Sequence, residues 1–496
     1  MSASLNDRFA RLAALKPARR APTPIDNDSP RGLSVDLPAG SERLAQLLGA
    51  MAQQTRFGEH LALRRWFSES VGPDAPDAPF KMDALRLLSP GAPSIVADPQ
   101  QWLFLDTETT GLAGGTGTYA FLIGIAWWDA GGLEVEQFFL REHSEEYSQL
   151  SALAERMAER RVLVTFNGKT FDWPLLETRY RMTRSIRVPE PRAHLDFLHP
   201  SRNLWRLRLG TARLPELERH VLGWNRGADV MSEYIPQIYF DFLRGGSPDP
   251  LVPIFWHNQM DLRGLAGLAA RVLQVLSDPE QHGCDAFELF GASRIFERRG
   301  ESARARKLYE RALANSPDSA DALPECAGRA AHRSLALLAK REGDHAAAAA
   351  HWEKLLGNSR EGFEAYEQLA IYHERHARQP QRATEIARQA LAELRRAHSA
   401  GLIASHIHSR IRGRFERRLA RLGRKLSAVP ALLANTGKIR PSHARSEIAW
   451  SAGRDLPDQM SCDVQGAAGA CQNSSDGGKP RGRKAAAQRY KLPVEM

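Results

Sequence analysis

Cysteine is scarce in this sequence. Four stand in 496 residues (Cys284, Cys326, Cys462, Cys471), scattered and without a CxxC pair. That excludes a disulfide framework and a thiolate zinc site, and makes a cytoplasmic protein with reduced thiols the expectation. No run of about 18 apolar residues occurs, so no membrane span is expected. The N-terminal stretch MSASLNDRFARLAALKPARR lacks the apolar core of a signal peptide. The glycine-rich GGTGT has no G-K-[ST] ending, so it is not a phosphate-binding P-loop. Nor is the chain short of apolar residues. Hydrophobic residues make up 43% and charged ones 25%, which excludes wholesale disorder and a fibrous repeat. What is in excess is positive charge, a formal +10. Its location matters more than its size. Ten Lys or Arg against one acid, Glu416, lie in 394–425, and six more lie between Lys479 and Lys491. The rest is slightly acidic on balance.

At roughly 100–200 residues per domain, the length implies two to four domains. Residues 1–40 read as a mobile arm and 41–99 as an N-terminal extension and linker, in which GEHLALRRWF has strand character. From Trp102 the texture changes. WLFLDTE, YAFLIGIAWWD and LEVEQFFL are three strand-length apolar runs with short connections, as in an antiparallel meander. Helical and strand patterns then alternate through RVLVTFN, FDWPLLETRYRM and HLDFLH. The pattern predicts an α/β domain over 100–278, a mixed five-stranded sheet with helices on both faces. Residues 285–395 are Ala-rich and strandless. Phe296, Ala305, Tyr309, Ala312 and Pro317 fit half of a tetratricopeptide (TPR) repeat, and Ala348/Trp352/Leu355 and Ala383/Ala387/Ala390 repeat it more loosely. These predict an all-α TPR-like domain. Residues 394–425 read as a basic helical segment, with Arg410, Arg414, Arg417 and Arg421 on one stripe and Ile403, Ile407, Ile411 and Phe415 on another. Residues 426–496 read as a disordered tail.

Four acids carry the chemistry. Asp106 and Glu108, in FLDTETTG, stand two apart on a strand and therefore face the same way. Two carboxylates so placed repel each other and resist desolvation, unless a divalent cation sits between them. Asp172, in FNGKTFD, and Asp261, in HNQMD, complete a hard-oxygen set suited to Mg2+ or Mn2+. Two such ions about 4 Å apart are the usual device for phosphodiester cleavage. His257 lies four residues before Asp261, so on a helix the two share a face. Its ordinary titration range suits proton abstraction near neutrality. Asp196 reads as structural.

FLDTETTG, N-x-x-x-F-D at Asn167–Asp172 and H-x-x-x-D at His257–Asp261 occur in the order of three exonuclease motifs. Together they resemble the DEDD, or DnaQ-like, 3′–5′ exonuclease superfamily of ribonuclease H-like fold. TGLAGGTGTYAFLIG, FNGKTFDWPLLETR, HLDFLHPSRNLW, LERHVLG and WHNQMDLRGLAGL further resemble its bacterial YprB-like subgroup, some members of which carry C-terminal TPR repeats. The likeness spans roughly 100–275. It implies that Asp106, Glu108, Asp172 and Asp261 hold two divalent cations, with His257 as general base. Thr109, Thr110, Gly111 and Asn167 would be the substrate-binding positions. One departure stands out. The histidine subclass spaces its motif H-x4-D, whereas here the gap is H-x3-D, the spacing of the tyrosine subclass. One residue turns a helical side chain by about 100°.

The expected activity is hydrolysis of nucleic acid, DNA or RNA, at a single-stranded 3′ end, with a protein partner on the TPR-like repeats. Two rival readings share the residues. One is a TPR scaffold whose nuclease fold is weakly active or inactive. The other is a structure-specific endonuclease.

Overall fold

The computed structural model describes residues 37–435 except 39, 69–75, 77, 112–116, 130, 228 and 315–321, with side chains as far as 427. Most of the N-terminal arm, Pro317 and the tail from 436 lie outside the described residues, as does part of the GGTGT segment. The chain divides into two units, Met1–Ala431 and Leu432–Met496, and the sheet with its packed helices belongs to the first.

Helix α1 (Ser41–Leu48) leads into a hairpin of β1 (Met51–Thr55) and β2 (Gly58–Ser68). After α2 (Met82–Leu88) come β3 (Trp102–Thr109), β4 (Ala120–Asp129), β5 (Gly132–Phe139), α3 (Glu146–Glu159), β6 (Val162–Thr165), α4 (Asp172–Thr183) and β7 (Ala193–Asp196). Next are α5 (Leu198–Leu209), α6 (Leu214–Leu217) with a π-helical turn (Glu218–Leu222), α7 (Ile235–Leu243) and the long α8 (Val252–Ser277).

The sheet has seven strands, not the five expected, in the order β1-β2-β5-β4-β3-β6-β7. The two extra strands come from the segment read as extension and linker. β2 pairs antiparallel with β5 along most of its length, and its alternating Leu61, Leu63 and Phe67 are buried. β1 is polar and largely exposed (MAQQT), so no period-2 apolar signal marks it. The β5-β4-β3 meander is antiparallel, and β6 and β7 add on in parallel through crossover helices.

Alternation along β3 assigns the two faces. Trp102 and Phe104 pack with Leu262, Leu265 and Leu268 of α8. Leu103 and Leu105 pack with Leu150 and Leu153 of α3 and Leu176 and Tyr180 of α4. Asp106 and Glu108 continue the α8 face.

Seven further helices complete the described chain: α9 (Ala286–Arg298), α10 (Ser302–Leu313), α11 (Glu325–Arg341), α12 (His345–Glu353), α13 (Arg360–Arg375), α14 (Pro380–Ser399) and α15 (Ser405–Asn435). Ala305, Ala312, Ala383, Ala387 and Ala390 are buried where helices cross, because small side chains let backbones approach. The first of these helices shares a core with the sheet domain. Phe290 and Ile295 of α9 join Leu204 of α5, and Gly291 lies against the backbone of Asn203 and Leu204. The basic segment is carried by two helices, α14 and α15. Among the described residues no helix is long and apolar enough to cross a membrane.

Candidate active site

The site forms where β3 emerges beneath α8. The last four residues of β3 are only partly buried, and its register against β4 slips between Glu108 and Thr109. Such a bulge turns the strand and re-aims its side chains. Asp106 and Glu108 project here, Asp172 opens α4, and α8 contributes His257 and Asp261.

These acids feel one another. Burial first, then Asp261, Asp172 and Glu108, push the Asp106 carboxyl well above the usual range. Burial, then Asp261, Asp172 and Asp229, do the same to Glu108. Burial pushes Asp172 up to about 6, against the pull of a hydrogen bond from the Thr107 hydroxyl at 2.5 Å. Crowded carboxylates forced toward protonation are what a divalent cation relieves, and the all-oxygen donor set is the hard one that Mg2+ and Mn2+ take. The residues thus fit such ions chemically. Among the described residues no three acids or histidines close into a ready-made metal cage.

His257 sits on the same face of α8 as Asp261 and is only 7% exposed. Its Nε2 lies 3.6 Å from Asp261 Oδ2 and 3.7 Å from Glu108 Oε1. The H-x3-D spacing therefore brings histidine and aspartate together, because i and i+4 are neighbours on a helix.

The remaining expected residues are accounted for through hydrogen bonds. Asn167 adopts φ 72°, and its N–H donates to Asp196 Oδ1 at 2.9 Å. Asp196 also accepts from the Lys169 and Leu198 amides at 3.1 and 3.0 Å, so it ties the turn before Asp172 to the start of α5, a structural role. Thr110 closes the neck of the loop after β3. Its amide donates to the Tyr119 carbonyl and its hydroxyl accepts from the Tyr119 amide, both at 2.9 Å. The Thr109 hydroxyl donates to the Gly111 carbonyl at 3.1 Å.

Several residues of the site are invisible to motif reading. Asn258 Nδ2 donates to Asp106 Oδ2 at 2.8 Å. The Asn258 carbonyl oxygen accepts from Gln137 Nε2 at 2.7 Å, and Gln137 in turn accepts from Gln259 Nε2 at 2.7 Å. All three amides are buried, so the chain runs dry from α8 through β5 to the carboxylate. It passes over Gly124, which pairs with both Asp106 and Gln137 across the sheet. A Cβ at Gly124 would overlap Asn258 Oδ1. A second set comes from the segment before α7. Arg226 grips Glu218 through two parallel N–H···O contacts, reaches Asp261 Oδ1 at 2.5 Å and Asp229 Oδ2 at 3.3 Å, and its side chain is 6% exposed. Asp229 Oδ1 meets His257 Nδ1 at 2.7 Å.

A mixed sheet with acids at the end of its third strand and a long helix laid across them is the arrangement of the ribonuclease H-like superfamily. Residues 103–273 match the family described as RNase_H superfamily, so the chain contains an RNase H-like domain. That superfamily suggests nuclease activity in general, which implies a nucleic-acid substrate. More narrowly, it is 30% identical over 333 residues to the Bacillus subtilis (strain 168) protein named "Uncharacterized protein YprB". The alignment covers 66% of this chain and 75% of that one, so it runs past the superfamily region, and this chain is a member of the YprB family.

Proposed function

We propose that the protein is a two-metal-ion, DEDD-type nuclease of the cytoplasm, working 3′ to 5′ on single-stranded ends. One observation carries this reading: four acids from β3, α4 and α8 crowd one another at one buried place. Asp106, Glu108, Asp172 and Asp261 would hold two divalent cations, Mg2+ or Mn2+, which supply activation of water and charge neutralisation at the departing oxygen. His257 presents Nε2 to that water and takes its proton. Asn258 holds the Asp106 carboxylate in place from the helix side. Thr109, Thr110, Gly111 and Asn167 line the approach of the terminal nucleotide. The hairpins α9–α14 act as TPR-like repeats that engage a protein partner.

The test uses 3′- and 5′-labelled DNA and RNA oligonucleotides with manganese. Wild type is expected to shorten strands from the 3′ end. Asp106→Ala and Asp172→Asn should lose activity about 100-fold or more, since each removes a preorganised charge from the reacting centre. A circular single-stranded substrate should survive; its cleavage would convert the reading to an endonuclease. Equal behaviour of wild type and both variants would end it.

A further inference from the structure

We infer that Asp229 is the positioning residue that sets which nitrogen of His257 is free to accept a proton. This rests on His257 as the general base and extends that reading to a residue no motif contains.

A carboxylate offers only acceptor oxygens, so the proton in the 2.7 Å contact between Asp229 Oδ1 and His257 Nδ1 belongs to the ring. With Nδ1 protonated, the neutral imidazole has its lone pair on Nε2, the atom facing Glu108 and Asp261. Without such a partner an imidazole is free to carry its proton on either nitrogen, and a proton on Nε2 would block the base.

Asp229 is itself held. Its other oxygen meets Arg226 Nη1 at 3.3 Å. Arg226 is anchored by its double contact with Glu218, which lies against α8 where residue 264 is glycine. A Cβ there would overlap Glu218 Oε1. A relay therefore runs from the bare face of α8 through Glu218, Arg226 and Asp229 to His257. It pins the ring from the side opposite the acids. This is how a histidine in H-x3-D spacing is aimed by something other than its own helix.

A third donor fixes the carboxylate: the Val230 amide donates at 2.8 Å to Oδ1, the same oxygen that meets Nδ1. Asp229→Ala removes that acceptor, and the ring proton is then free to sit on either nitrogen. The fraction of rings protonated on Nε2 cannot act as the base.

The experiment combines kinetics with 15N spectra of histidine-labelled protein, recorded where the ring is neutral, with the His257 signals assigned by loss in His257→Gln. Wild type should carry the proton on Nδ1, and Asp229→Ala a mixture of the two tautomers. In Asp229→Ala kcat should fall about 10- to 100-fold, with KM and the magnesium-induced rise in Tm kept near wild type. A proton on Nε2 in wild type, or wild-type kcat in Asp229→Ala, overturns the assignment. The wild-type spectrum decides it even where a variant folds poorly. A wild type inactive on every oligonucleotide would refute the nuclease reading instead, a result the tautomer measurement does not share.

Discussion

Asp172 is where the electrostatics of the site can be read without any substrate. Its carboxyl, and those of Asp106 and Glu108, are displaced upward in the folded chain. A group whose folded value exceeds its unfolded value binds more protons folded than unfolded, so stability is gained as pH falls and lost as pH rises. For Asp172 the window lies between the ordinary 3.8 and about 6. Metal-free protein is therefore expected to melt progressively lower as pH rises from about 4 to about 6. Magnesium or manganese at the upper end should restore most of the difference, because an ion that binds only the folded site stabilises it. Asp172→Asn should flatten the metal-free profile. A metal-free Tm that is level or rises over this range would mean the acids are not crowded in solution. The five residues assigned metal or base roles were legible because their types and order form a pattern. Asp229 and Arg226 were not. They lie in GWNRGADVM, which reads as an ordinary polar loop, and nothing local marks a partner 28 residues away.

At the scale of elements, α8 does more than cover the sheet. Its buried face carries Asn258 and Gln259, and the sheet answers with Gln137 on β5 and an empty position at Gly124 on β4. Buried amides are tolerated when their donors and acceptors are matched, and here Gln137 and Asn258 are matched through to Asp106 while Gln259 Oε1 is left without a partner. Gly124→Ala would thrust a methyl into Asn258. The expected cost is about 1–3 kcal/mol, the range for overpacking a dense core, read as a lowered Tm. Activity per folded molecule should fall too, since Asn258 can no longer hold Asp106. Asn258→Ala should lower Tm by leaving one Gln137 N–H without its acceptor, roughly 1–3 kcal/mol. If Gly124→Ala melts and cleaves like wild type, the amide chain does not exist as described. The central strands and helices were readable because apolar runs and their periods match buried faces. The β1–β2 hairpin was only half readable. β2 alternates on a buried face, whereas β1 hangs at an exposed edge, where burial imposes no pattern.

For the whole molecule, the positive charge of α15 resolves into two populations. Phe415 and Leu422 seat α15 on the helical region, and its inward cations are spent there. Arg414 pairs with Glu367, while Arg418, Arg421 and Lys425 converge on Glu374. Two of the four arginines of the expected stripe, Arg414 and Arg421, therefore serve docking. Arg410, Arg417 and Arg424 point away, exposed and without an acidic partner among the described residues. Spaced seven apart, they stay on one face over about 21 Å. A nuclease cleft must be negative to take metal, so phosphate attraction has to be supplied elsewhere, and this row is where unspent charge stands. Replacing all three with alanine should leave Tm and the metal response unchanged while weakening single-stranded DNA binding. The plot of log affinity against log salt should become shallower by about 2, three contacts at about 0.7 each. Glu374→Gln should do the reverse, lowering Tm by loosening α15 with no direct effect on the slope. A triple variant with an unchanged slope would assign the row to a partner other than nucleic acid. An equal loss from the inward and outward sets would mean that α15 acts through its fold alone.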